Sequence, residues 1–159
     1  MSVLLAIDPG NVQSGYVVMD TETYKITEFG KEDNEFILNM VRVEYYDYLA
    51  VEMIAAYGMP VGAEVFDTCL NIGRIIEAAA SRYIETDLVF RKQVKMNLCG
   101  QTRAKDGNII QALKDRFGDK GTKDNPGWFY GFKADCWQAY ALGVTWIDDT
   151  IKSNAPTTV

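Results

Sequence analysis

The stretch AIDPGNVQSGYVVMD, residues 6–20, decides the fold, because it sets an aspartate at the end of an apolar strand. Val3, Leu4, Leu5, Ala6 and Ile7 form a short apolar run closed by a Pro-Gly turn signal, the pattern of a buried strand. Asp8 therefore lies at the edge of a core. A carboxylate there is costly to bury unless a positive group, often a metal ion, compensates it. The other reading of Asp8 is a turn cap. Beyond the turn, Ser14 to Asp20 carries Tyr16, Val17 and Val18 and reads as a second strand returning antiparallel to the first.

Working outward, Tyr24 to Phe29 reads as a third strand, and Asn34 to Tyr45 as a helix with Phe36, Ile37, Met40 and Val41 at helical spacing. Tyr48 to Val51 forms a short apolar strand that ends in Glu52, repeating the device seen at Asp8. Strands that run parallel deliver their ends to one edge of the sheet, where ligands of open sheets bind. The loop from Met53 to Gly62 holds Gly58, Pro60 and Gly62 and reads as mobile or partner-facing. A long helix over Glu64 to Tyr83, a strand over Leu88 to Phe90 and a helix core over Ile109 to Phe117 follow, then a loop from Gly118 to Gly127. The last helix spans Lys133 to about Asp148. Counting from Asp135, the positions four, seven and eleven residues on are Ala139, Leu142 and Trp146, an apolar stripe that faces the sheet. Asp135 then points inward, and Gln138 shares its face one turn along. Residues 1–152 read as one domain and Ser153 to Val159 as a frayed tail.

Composition narrows the chemistry. Histidine is absent from the 159 residues, which removes imidazole-based nucleophile systems and imidazole metal ligands. Carboxylates must carry the chemistry. Cys69, Cys99 and Cys136 show no C-x-x-C spacing, so buried thiols in a reducing compartment are expected rather than disulfides or a zinc site. No apolar run reaches membrane-spanning length and no signal peptide is apparent, so a cytoplasmic protein with no membrane partner is expected. The net charge of -6 argues against nucleic acid, but its distribution argues the other way. Residues 91–105 hold Arg91, Lys92, Lys95, Arg103 and Lys105 with no acid among them, whereas Asp20 to Glu35 is mainly acidic. Such a segment suits phosphates or is a solvated face.

Asp8, Glu52 and Asp135 each terminate or open an apolar element. Oxygen-rich sites without histidine suit Mg²⁺ or Mn²⁺, and two such ions about 3.5–4 Å apart clamp both oxygens of a phosphodiester exchange. Metal-assisted phosphoryl transfer is the implied class; the alternative is that Asp8 and Asp135 cap local backbone and Glu52 is a loop residue.

I-D-P-G-x-x-x-S-G-Y at Ile7 to Tyr16, A-V-E at Ala50 to Glu52, and D-C-W-Q-A-Y-A-L-G at Asp135 to Gly143 resemble the Holliday-junction resolvases of the RuvC type, especially bacteriophage members. The resemblance spans nearly the whole chain in order. It implies an α/β ribonuclease H-like fold, a mixed five-stranded sheet with helices on both faces, a homodimer, Mg²⁺ (or Mn²⁺) and paired nicks in branched DNA. It places Asp8, Glu52 and Asp135 on three of the family's four acidic metal ligands. The fourth acid's place, three residues after the third, is held here by Gln138, so weakened or absent cleavage is one expectation.

The family's catalytic lysines lie on the strand and loop before the third helix. Lys95 matches one, and Lys105 is the choice for the other among Arg103, Lys105 and Asp106. Arg91, Lys92, Lys95, Arg103 and Lys105 are then expected to bind DNA. The family's junction-prying aromatic falls on Ala55; Tyr57 is the nearest substitute, and looser discrimination among four-way junctions, forks and flaps follows. A dimer through the long helix would use Cys69, Leu70, Ile72, Ile75 and Ile76. The rivals are a branched-DNA binding protein that does not cut and an actin- or sugar-kinase-like ATPase, whose two-domain fold needs a longer chain.

Overall fold

The computed structural model describes residues 1–153, so the tail expected from Ser153 onward lies, past Ser153 itself, outside the described residues. Five strands form one sheet in the order β3-β2-β1-β4-β5: β1 Val3–Asp8, β2 Gln13–Asp20, β3 Ile26–Asp33, β4 Tyr48–Met53 and β5 Thr86–Phe90. β1, β4 and β5 run parallel, and β2 is antiparallel to both of its neighbours. The expected mixed sheet is present.

Alternation along the strands divides the core in two. Leu5, Ile7, Leu49 and Val51 point to one face, covered by α1 (Asn34–Val43) and α2 (Ala63–Ala80). Leu4, Ala6, Ala50 and Val89 point to the other, covered by α3 (Arg91–Cys99), α4 (Asp106–Phe117) and α5 (Ala134–Trp146). Helices thus lie on both faces. From Cys136 to Trp146 every residue of α5 except Gln138 is buried, which sets this helix over the sheet as its central prop. Gly143 makes the seating possible: a Cβ there would stand 2.5 Å from Met19 Sδ and 3.3 Å from Ala6 Cβ. The stripe of Ala139, Leu142 and Trp146 is buried as expected, and Trp146 Nε1 donates to Asp87 Oδ2 on β5 at 2.6 Å.

Several boundaries move. The third strand begins at Ile26 because Tyr24 takes a left-handed φ of 63° in the preceding turn, and it runs on through the acidic stretch to Asp33. The long helix ends at Ala80, with Tyr83 left-handed at φ 60° and fully exposed. The last helix continues past Trp146 as a π-helical segment, Ile147–Lys152. The basic segment holds a helix, α3, where the resemblance implied strand and loop. Val94 is its one buried residue, and it follows β5 without a linker, capped by Gln93 Oε1 accepting from Phe90 N at 2.8 Å. All three cysteines are free; Cys136 is buried as expected, whereas Cys69 and Cys99 are only half-buried. No helix among the described residues is long and apolar enough to cross a membrane.

Candidate active site

The turn that follows β1 is tied down by a polar clasp. Ser14 Oγ accepts from Gly10 N at 3.2 Å and from Asn71 Nδ2 at 3.3 Å, and donates to Asn34 Oδ1 at 2.7 Å. Asn34 Nδ2 and Asn71 Nδ2 both donate to Gly10 O, at 3.0 and 3.4 Å. Ser14 and Asn71 are buried, so these bonds form away from water, where an unpaired polar group costs most. The clasp joins α1 and α2 to the backbone immediately after Asp8.

Register then assembles a row across the sheet. Asp8 stands opposite Gly15 on β2, and Gly15 stands opposite Lys31 on β3. On the other side Ile7 pairs with Val51 in parallel register, which sets Asp8 beside Glu52 one residue further on. Directly paired residues share a face, and here it is the face covered by α5. Asp135, in the first turn of α5, completes the set from above. The fit depends on Gly15: a Cβ at that position would lie 2.6 Å from Asp135 O and 2.8 Å from Asp135 Cβ. The glycine of the S-G-Y motif is thus the notch into which the third acid descends.

The three expected acids are brought together. Asp8 is mostly buried, and its carboxyl is pushed well above the ordinary aspartate range, chiefly by desolvation and then by the carboxylates of Glu52 and Asp135. Each of the other two acids also meets a cation. Lys31 Nζ lies 2.6 Å from Asp135 Oδ2, and Arg91 Nη1 lies 3.3 Å from Glu52 Oε1. Among the described residues no group of three acids, thiols or imidazoles stands arranged to hold a metal ion; Asp135 and Glu52 are turned to Lys31 and Arg91 instead. The donor set itself suits a hard divalent cation: two carboxylates in one row with a third above it, and the Oε1 of Gln138, buried without a hydrogen-bond partner.

The basic residues divide. Arg91 is half-buried and bridges Glu52 to Asp106 at the start of α4. Lys92 Nζ stacks over the Tyr57 ring at 4.0 Å from its centroid, and Tyr57 itself is exposed in a left-handed conformation with φ 49°. Lys95 is half-buried on α3, while Arg103 and Lys105 are exposed before and at the start of α4. Two clefts flank the acids. One of about 310 Å³ lies between Pro9, Glu52, Ala55, Tyr57 and Arg91; the other, of about 450 Å³, lies between Phe29, Lys31, Gly131, Lys133 and Asp135.

One site residue and one site contact escape sequence reasoning. Lys31 is hidden in an acidic stretch, and only its pairing with Gly15 on β2, the strand residue beneath Asp135, brings it to the site. In the sequence Asp106 stands only as an alternative for the second lysine's place, and its contact with Arg91 shows only in the folded chain.

Sheet order, strand directions and helices on both faces define an α/β fold of the ribonuclease H-like class. No protein-family model and no curated protein matches the chain. Solved structures do. A structure of Thermus thermophilus RuvC is similar with 18% identity and a TM-score of 0.67, over 90% of this chain and 92% of that one. T. thermophilus RuvC in complex with Holliday junction substrate gives 17% identity and a TM-score of 0.70, over 91% and 92%. The RuvC-type resemblance in the sequence is therefore carried by the fold along nine-tenths of the chain.

Proposed function

We propose that the chain is a metal-dependent endonuclease that binds and nicks Holliday junctions and other branched DNA. The observation that carries this reading is the convergence of Asp8 and Glu52 in one row with Asp135 above it on a RuvC-like fold. These three acids would hold Mg²⁺ or Mn²⁺, with Asp8, on the central strand, between the other two. When bound, such ions activate water and offset charge on the phosphodiester. The chain's own residues do the rest. The carboxylates set where the ions sit, and Gln138 offers a neutral oxygen in place of a fourth acid. Lys95 and Lys105 would hold the scissile phosphate and stabilise its charge, and Lys92, Arg103 and Tyr57 would meet the flanking strands.

Relaxed selectivity is part of this proposal. Ala55 offers no wedge, and the exposed Tyr57, pinned by Lys92, is the aromatic left at that rim. Opposed nicks require two sites related by symmetry, so we assign a homodimer. Its support is on α2: Phe66 and Leu70 are 60% and 68% exposed, whereas Ile72 and Ile75, expected at the interface, belong to the core. The free thiols agree with work in a reducing cytoplasm.

Gln138 supports a second reading, a protein that binds branched DNA without cutting it. Incubation of the full chain with labelled four-way junction, fork and linear duplex, each with Mg²⁺ and with Mn²⁺, separates the two. Metal-dependent nicks confined to branched substrates support the nuclease, binding without nicks supports the second reading, and equal affinity for linear duplex refutes both.

A further inference from the structure

The row across the sheet contains a cation as well as acids. Lys31 follows Gly15 in the cross-strand register, and its Nζ reaches Asp135 Oδ2 at 2.6 Å. It stands in a strand segment otherwise lined by acids, Glu28, Glu32 and Asp33, so a lysine here is not part of a general basic surface. The pair is half-open to water, with side-chain exposures of 51% and 35%. Ion pairs at such a boundary are weak and exchange readily. Asp135 is nevertheless one of the three acids that the nuclease reading gives to the metal. A divalent ion taken up by Asp135 competes with the ammonium for the same carboxylate, and its charge repels Lys31 from the row. The cleft beside the pair is where the lysine can go, and Lys133 stands on its wall.

We propose that Lys31 couples metal binding to DNA binding: it competes with the divalent ion for Asp135 and, once displaced, takes a DNA phosphate in the cleft beside Lys133. The coupling rests on the nuclease reading above and adds to it a residue that belongs to neither the acids nor the basic segment of residues 91–105.

Lys31→Met in the full chain tests it, with two readouts besides cleavage. The first is Mn²⁺ affinity without DNA, read from the free ion by electron paramagnetic resonance. Loss of the competitor tightens Mn²⁺ by about two- to fivefold. The second is four-way-junction affinity, by fluorescence anisotropy, in EDTA and in Ca²⁺. In EDTA the variant matches the parent, because Lys31 is held by Asp135. In Ca²⁺ it binds about three- to tenfold more weakly, with a salt slope smaller by about one. Lys31→Arg, which keeps the cation, restores both values. Unchanged Mn²⁺ affinity, or an equal loss of DNA affinity in EDTA and in Ca²⁺, overturns the coupling while leaving the nuclease reading intact. A parent protein that takes up no Mn²⁺ overturns both. Lys31→Gln keeps a polar strand residue and carries the same expectations if a thermal melt shows Lys31→Met misfolded.

Discussion

Replacing Asp8 with asparagine is expected to stabilise the protein while removing its proposed activity. Burial and the facing carboxylates lift the Asp8 carboxyl from its ordinary 3.8 to about 8. The sign follows from linkage. A group whose folded value lies above its unfolded value contributes fully below the unfolded one, and that contribution is lost as pH rises through the folded one. Holding the proton at pH 7 costs about 1.4 kcal/mol for each pH unit above 3.8, a ceiling of about 4 kcal/mol. Relaxation and water at the sheet edge reduce this to about 1–2 kcal/mol. Asparagine has no charge to bury, keeps the side chain's shape, and can donate to Glu52. For a chain of this size the gain corresponds to a Tm higher by about 3–6 °C. The assay is a thermal melt in EDTA by circular dichroism at pH 4, 7 and 8.5. The advantage of Asp8→Asn should be near zero at pH 4, clear at pH 7 and largest at pH 8.5. Added Mn²⁺ should then raise the Tm of the parent and leave the variant almost unmoved. A variant less stable than its parent at pH 7, or an advantage that ignores pH, would refute the reasoning that burial and the facing acids hold Asp8 protonated.

Four further outcomes are expected. Gln138→Asp adds an acid on the face shared with Asp135 and should tighten Mn²⁺ and raise the nicking rate on a four-way junction; equal rates would show a fourth acid to be dispensable. Gly15→Ala drives a methyl into the Asp135 backbone, 2.6 Å away, and should cost about 1–3 kcal/mol in a urea melt as well as most nicking. Lys92→Glu with Arg103→Glu should weaken branched and linear DNA alike and flatten the salt dependence, measured by anisotropy; unchanged affinity would leave that segment a solvated face. Phe66→Asp with Leu70→Asp should yield a monomer in analytical ultracentrifugation with an unchanged melt, and a mass already monomeric in the parent would remove the dimer from the proposal.

The parts legible in the sequence were those with a local signature. The apolar runs ending in Asp8 and Glu52 have a period and a stop, and the α5 stripe has a spacing, so all five strands in outline, the last helix and the places of the three acids on them could be read without coordinates. What escaped depends on pairing at a distance. Residues 30–33 look like a polar loop, G-K-E-D, until they are paired with β2, and the pairing makes them strand and brings Lys31 to Asp135. Helix α3 buries one residue, Val94, too few to leave a helical period, and it starts without the gap that separates other elements here. Ile72 and Ile75 resemble interface residues in composition alone; only the sheet beneath α2 shows that they are spent on the core and that Phe66 and Leu70 are not. Arg91 reads as free cationic charge because its acids are 39 and 15 residues away.

The clasp of Ser14, Asn34 and Asn71 around Gly10 bears on how a pair of such chains would handle a four-armed substrate. Asn71 belongs to α2, the helix assigned to the interface, and its amide reaches the carbonyl two residues past Asp8. From the outer helix to the row of acids there are two hydrogen bonds from Asn71 and the short Pro9–Gly10 turn. Two subunits joined through α2 would therefore carry their reactive centres like the fixed points of a caliper, the span set by protein rather than by sequence or by tension in the DNA. Arms that cannot open to that span would be held without being cut, so geometry would act as a proofreader where the wedge at Ala55 is missing.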